Sequence, residues 1–135
     1  MADVTVTAAN VQKASDTLID YGILGATVTA GQTVYKDANG VYQLADANAS
    51  ATTAAVTGIA LNGGASGQPV AVAIGGTLNP GFTVTVGAVY VLSATAGGIA
   101  PVADLASGWR TGILGVGLTA SSLGLILYRS GVAVP

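Results

Sequence analysis

Thr33-Val34-Tyr35-Lys36-Asp37-Ala38-Asn39-Gly40-Val41-Tyr42-Gln43-Leu44 reads as two short strands joined by a turn. β-Branched and aromatic residues fill both arms, and such side chains fit a pleated, half-buried surface. Between them, Asn39-Gly40 tolerates positive φ and is a strong short-range hairpin signal. Tyr35 and Tyr42 are expected on facing strands of this hairpin.

The same grammar continues in both directions. Residues 26–29 form an expected strand leading into Ala30-Gly31. Downstream, strands are expected at 56–61, 68–74, 77–78, 82–86, 89–92 and 99–102, separated by Asn62-Gly63-Gly64, Asn79-Pro80-Gly81, Gly87 and Gly97-Gly98. A glycine launches a strand in Gly31-Gln32-Thr33-Val34, Gly67-Gln68-Pro69-Val70 and Gly87-Ala88-Val89-Tyr90, an echo of shared turn chemistry rather than a solenoid repeat. The alanine-rich residues 46–55 are expected as one short helix, with Asp46 or Asn48 as its cap. Turn signals recur about every eight to twelve residues, the spacing of a sandwich or barrel. The fold class expected is therefore all-β: a single small β-sandwich or β-barrel, the jelly roll included, with an extended N-terminal arm. Such a domain should carry about seven or more short strands and less than about 15% helix.

Residues 1–20 differ from the rest and are read as an N-terminal arm or a short helix or strand, with residues 21–135 as the β domain. Val4 and Val6 alternate with Thr5 and Thr7 as in a strand. For residues 10–20 a short helix and an extended arm both stay open, because Val11, Leu18 and Ile19 are too sparse to define a helical face.

Composition agrees with the strand reading. The 135 residues suit one domain. Glu is missing altogether, and the Lys, Arg and Gln that usually cover helix surfaces are scarce. The net charge of −2 comes from six acidic and four basic side chains, with no His and no Cys. No basic stripe exists for nucleic acid and no polybasic patch for an anionic membrane, so neither is expected as a partner. Without cysteine there is no disulfide frame and no thiolate metal site. The N terminus lacks the basic and apolar blocks of a signal peptide, which points to synthesis in a cytoplasm.

Little catalytic equipment remains. Triads and dyads built on His or Cys are gone. A Ser–Lys dyad would have to use Lys13 or Lys36, and neither stands in a recognisable motif. The six aspartates, Asp3, Asp16, Asp20, Asp37, Asp46 and Asp104, are scattered, and most sit where Asp acts as a local cap. Asp37-Ala38-Asn39-Gly40 lacks the further acidic ligands of a calcium loop. Gly63-Gly64-Ala65-Ser66-Gly67-Gln68 lacks the Lys-Ser/Thr ending of a phosphate loop. Trp109 beside Arg110 has the composition of a binding hot spot, but a lone Trp equally fills a core or rim. The tyrosines Tyr21, Tyr35, Tyr42, Tyr90 and Tyr128 suit amphipathic strand positions better than a sugar platform. The chain is thus not expected to be an enzyme, and no catalytic, cofactor-binding or metal-binding residue is assigned.

Two uncharged runs remain to be explained. Residues 47–103 contain no charge at all. A domain surface is ordinarily about a quarter to a third charged, so coverage by neighbouring subunits is the reading preferred here. Residues 111–128, between Arg110 and Arg129, are long enough for a membrane-spanning helix. Gly112, Gly115, Gly117 and Gly124, with Thr119-Ala120-Ser121-Ser122 at the centre, favour two strands instead, at 113–118 and 123–128.

Several runs carry a family resemblance. They are Ala30-Gly31-Gln32-Thr33-Val34-Tyr35-Lys36-Asp37, Gly40-Val41-Tyr42-Gln43-Leu44-Ala45-Asp46-Ala47, Gly58-Ile59-Ala60-Leu61-Asn62 and Gly67-Gln68-Pro69-Val70. Tyr90-Val91-Leu92-Ser93-Ala94-Thr95-Ala96-Gly97-Gly98-Ile99-Ala100-Pro101 and the closing Ser130-Gly131-Val132-Ala133-Val134 belong with them. Together, over about residues 26–134, they resemble small bacteriophage capsid decoration (cement, head-stabilisation) proteins. The resemblance implies a structural protein of the virion, made in the host cytoplasm. It would sit on the outer surface of an icosahedral head as a homo-oligomer, a dimer or trimer, bridging subunits of the phage major capsid protein. A glycan- or host-binding module of a phage fibre and a self-assembling bacterial surface or matrix protein are the rival expectations.

Overall fold

In the computed structural model, residues 3–134 are described, and they form eleven strands. These are β1 (Val11–Lys13), β2 (Leu18–Ile23), β3 (Thr33–Lys36), β4 (Tyr42–Leu44), β5 (Gly58–Ala60), β6 (Pro69–Gly75), β7 (Thr77–Pro80), β8 (Val89–Leu92), β9 (Ile99–Pro101), β10 (Arg110–Thr119) and β11 (Ser122–Ala133). Helix among the described residues is confined to two 3-10 turns of three residues each, Ala8–Asn10 and Val102–Asp104. The strands make a six-stranded sheet in the order β1-β7-β11-β10-β8-β9 and a five-stranded sheet in the order β2-β6-β5-β3-β4. Every ladder is antiparallel.

The two sheets pack together as a small β-sandwich. Leu78, Leu92, Ile99, Leu114 and Leu123 of the six-stranded sheet share one core with Ile59 and Ala73 of the five-stranded sheet. Neither sheet closes, so the barrel alternative is set aside. The five-stranded sheet does curl. The chain just past β2 meets β4, at the other end of the strand order, through the isolated parallel bridge Leu24↔Tyr42 and the bond from Gly25 N–H to the Tyr42 carbonyl. Inside that curl Leu24, Val28, Val34, Tyr42, Ala60, Val70 and Val72 form a second core.

The deciding hairpin is present. Val34, Tyr35 and Lys36 pair with Leu44, Gln43 and Tyr42, and Gly40 turns the chain at φ +80°. Tyr35 and Tyr42 lie on neighbouring strands but on opposite faces: Tyr35 packs against the inter-sheet core, Tyr42 inside the curl. Gly31, Gly67 and Gly87 all take positive φ ahead of β3, β6 and β8, which gives the sequence echo its physical content. Residues 111–128 lie within the β10–β11 hairpin, and no helix among the described residues is long and apolar enough to cross a membrane.

Four local expectations are corrected. Residues 46–55 form turns rather than a helix. There the Asp46 carboxylate accepts from Asn48 N–H at 3.0 Å, and Ser50 and Thr53 each accept from the other's backbone N–H. Those side chains take the donors a first helical turn would present. Residues 82–86 alternate in burial but join no ladder, because Val84 N–H goes to the Ala120 carbonyl and Thr85 N–H to the Tyr90 hydroxyl. Residues 26–29 contribute only the bridge Val28↔Gly64. Val4 and Val6 are extended but outside any strand, and Val4 N–H bonds the Ile99 carbonyl. Further along, residues 10–20 form no α-helix: after Asn10 closes the first 3-10 turn, β1 pairs with β7 in one sheet, a turn follows at Ser15-Asp16, and β2 begins at Leu18 in the other.

Candidate functional site

Burial separates the two uncharged runs. Within residues 47–103, Val56, Ile59, Ala60, Val70, Val72, Ala73, Leu78, Val84, Tyr90, Val91, Leu92, Ile99 and Ala100 are all buried. This run supplies β5 to β9, so much of it is covered by the protein's own two cores. Coverage by a partner is not needed to account for that part. What it leaves exposed is mainly Gly, Ala, Ser, Thr, Asn and Gln, with Ile74, Val86 and Val102 as separate apolar exceptions.

The large apolar side chains that do face solvent lie mostly elsewhere: Leu18, Tyr21 and Ile23 on β2, Leu118 on β10, and Ile126, Tyr128 and Val132 on β11. The cause is visible along one cross-strand row, Ala100↔Val91↔Ile113↔Tyr128, which runs β9-β8-β10-β11. Ala100 and Val91 are fully buried, Ile113 is half-buried and Tyr128 is 57% exposed. The 3-10 turn Val102–Asp104 packs against β8, at the buried end of the row. At the other end Ile126 and Tyr128 flank Leu127, which packs on the inter-sheet core with φ +52° at a register shift between β10 and β11. That bulge keeps Leu127 in while Ile126 and Tyr128 point out. Leu118, lying against Gly124, extends the apolar face toward the hairpin turn. From Thr111 to Tyr128 this face carries no charge. This exposed apolar face is the candidate interaction surface.

Among the described residues no three metal-ligating side chains gather. Lys36 pairs with Asp20 at 3.4 Å, and Asp20 also accepts the Tyr42 hydroxyl at 2.5 Å. The bond from Tyr42 holds the Asp20 carboxyl below its usual range, and Lys36 adds to the effect. Burial, then the Asp20 carboxylate, raise the Tyr42 hydroxyl above its usual value. This trio fastens β2 to the β3–β4 hairpin across the open side of the curl. Asp37 accepts from Gln43 Nε2 at 3.1 Å and from Asn39 and Val41 N–H, bonds that hold its carboxyl low and make Asp37–Gly40 a turn. Asp16 accepts from the Thr77 hydroxyl and Asp3 from the Ser93 hydroxyl. Lys13 is exposed on β1, and Trp109 is half-buried against the inter-sheet core. Gly63–Gln68 is a turn in which Gln68 Oε1 accepts from Ala65 N–H. Of the tyrosines, Tyr42 and Tyr90 are buried and Tyr35 is half-buried, which leaves only Tyr21 and Tyr128 exposed.

Sequence reasoning missed the outer face of the hairpin as a site. The signal was present: Ile126 and Tyr128 alternate with Leu125 and Leu127, and both sides of that alternation are apolar. No family model matches the chain, and the curated proteins contain no match to it.

Proposed function

We propose that this protein is a non-enzymatic structural component of a bacteriophage virion that decorates the outer surface of the head and bridges subunits of the major capsid protein. The observation that carries the proposal is the uncharged apolar face of the β10–β11 hairpin, where Leu118, Ile126 and Tyr128 are exposed. The resemblance of residues 26–134 to head-decoration proteins supports the choice of partner. A homo-oligomer, dimer or trimer, fits a domain with apolar surface on both β2 and the hairpin.

The mechanism is mass action. A protein that binds the assembled shell but not free subunits stabilises the shell by its binding free energy at each site. Apolar contact suits this role because it weakens little with salt, unlike charge-driven attachment. The test is to strip the protein from heads, add it back at low and high salt, and image the particles. Decoration at fixed, repeated positions under both conditions, with heads more resistant to heat, is the expected result. Failure to decorate at any salt rejects the role, and decoration lost at modest salt rejects the apolar mechanism.

A further inference from the structure

A second surface feature lies apart from the apolar face. A groove of about 420 Å3 runs where the N-terminal segment, β1, β7 and the β10–β11 turn meet. Thr5, Thr7, Asn10, Gln12, Thr83 and Ser121 line it, and all six are exposed. None of these side chains makes a hydrogen bond to another described residue. The amides of Gln32, Gln43 and Gln68 each bond a neighbouring loop or turn, and the Asn62 amide oxygen accepts from Ala71 N–H of β6. Asn10 and Gln12 therefore carry free amides into a groove already lined with free hydroxyls.

The walls are fixed. Thr7 N–H bonds the Gly81 carbonyl at 2.8 Å, and Val84 N–H bonds the Ala120 carbonyl at 2.8 Å. Asn79 Oδ1 accepts from Gly81 N–H at 3.1 Å, which braces the turn at the groove's edge. Half-buried Phe82 supplies an apolar wall, held by an edge-on contact with Tyr90 at 5.1 Å between ring centroids. No charged side chain lines the groove.

We propose that this groove is a binding site for a neutral saccharide. Hydroxyl and amide side chains offer donors and acceptors together, as a polyol requires. An apolar aromatic wall can pack against the C–H groups of a sugar ring. The lack of charge disfavours phosphates, carboxylates and cations. The volume falls within the roughly 300–1,000 Å3 of small-molecule sites. An extended peptide would look for unpaired strand edge, and β1 offers only three residues of it. The site does not depend on head decoration, so either proposal stands if the other fails.

The probes are neutral oligosaccharides of glucose, galactose, mannose, rhamnose and N-acetylglucosamine, with tetra-alanine as the peptide control. Each is titrated into the 15N-labelled full chain to about ten times a Kd of about 1 mM. Shifts at Thr5, Thr7, Gln12, Thr83 and Ser121 are expected with at least one sugar and not with the peptide. The double variant Asn10→Ala/Gln12→Ala, at two exposed positions, should bind that sugar about tenfold more weakly while keeping the wild-type spectrum elsewhere. A second variant, Thr83→Val, should weaken it in the same direction. No response to any of the sugars overturns the proposal, as does a response only to the peptide, or sugar binding that both variants leave unchanged.

Discussion

Residues 47–103 and residues 111–128 are alike in lacking charge and opposite in what they do with it. The first run forms β5 to β9 and places Ile59, Leu92 and Ile99 at the centre of the inter-sheet core. The second forms a hairpin with Leu114 and Leu123 inside and Leu118, Ile126 and Tyr128 outside. Missing charge therefore has two physical causes in one small domain. Where a segment is sandwiched, charge is excluded because burying it unpaired is costly. Where a segment is apolar on its open face too, intramolecular packing does not account for it, and the proposed capsid contact would.

The contrast is sharpest within β10 itself. Leu114→Ala should destabilise the domain by about 2–5 kcal/mol, as truncation of a fully buried leucine does. Leu118→Ala, at a side chain 50% exposed, should change stability by less than about 0.5 kcal/mol. Urea denaturation of both variants checks the pair. Equal losses would mean that the outer face is packed within the monomer, and the distinction between the two runs would fail.

Next in size is the turn that the sequence marked most clearly. A Cβ on Gly40 would meet nothing within 4 Å, so the cost of Gly40→Val comes from φ +80° alone. A loss of about 1–2 kcal/mol is expected from forcing a β-branched residue into the left-handed region. A variant as stable as the parent would show that the hairpin tip does not need that conformation.

The smallest effects concern the open side of the curl. Tyr42→Phe should cost about 1 kcal/mol by removing the hydroxyl that Asp20 accepts. The pH dependence follows from the two shifts. Asp20 is held low in the fold, so its contribution is complete above the unfolded-state value near 4 and is lost as pH falls below it. Because Asp20 is more than a third exposed, this acid limb should be shallow. Tyr42 is raised, so the unfolded chain gives up its phenolic proton first and stability falls as pH rises above about 10. Thermal melts across pH should show both limbs in the parent; Tyr42→Phe should lose the alkaline limb and most of the acid one, because the Tyr42 bond is the main reason Asp20 is held low.

Much of the local structure was legible. Asn39-Gly40, Gly67-Gln68, Gly87 and Gly97-Gly98 punctuate the chain where the structure turns, and 89–92 is a strand with the bounds expected. The polar centre Thr119-Ala120-Ser121-Ser122 separated a hairpin from a membrane span. Alternation misled at 82–86, because period-2 burial describes an extended chain whether or not its backbone finds a ladder. Alanine richness misled at 46–55, where Ser50 and Thr53 hold turns against helix propensity. The curl was hidden because Leu24 meets Tyr42 only after β2, β6, β5 and β3 have been laid in order. The groove was hidden for the same reason, since Thr5, Gln12, Thr83 and Ser121 converge from distant parts of the chain. The apolar outer face was legible as composition but not as exposure, which depends on what the fold lays over each strand.

The proposed decoration role puts the capsid contact on the hairpin's open face, not on the longer uncharged run. The most direct measurement compares two charge insertions at exposed positions, Ile126→Asp in the hairpin and Ser66→Asp in the longer run, by quantitative decoration of stripped heads. Both variants should keep the parent's circular dichroism and melting behaviour. The account predicts that Ser66→Asp decorates like the parent and that Ile126→Asp does not decorate. Normal decoration by folded Ile126→Asp, with loss in Ser66→Asp, would contradict it.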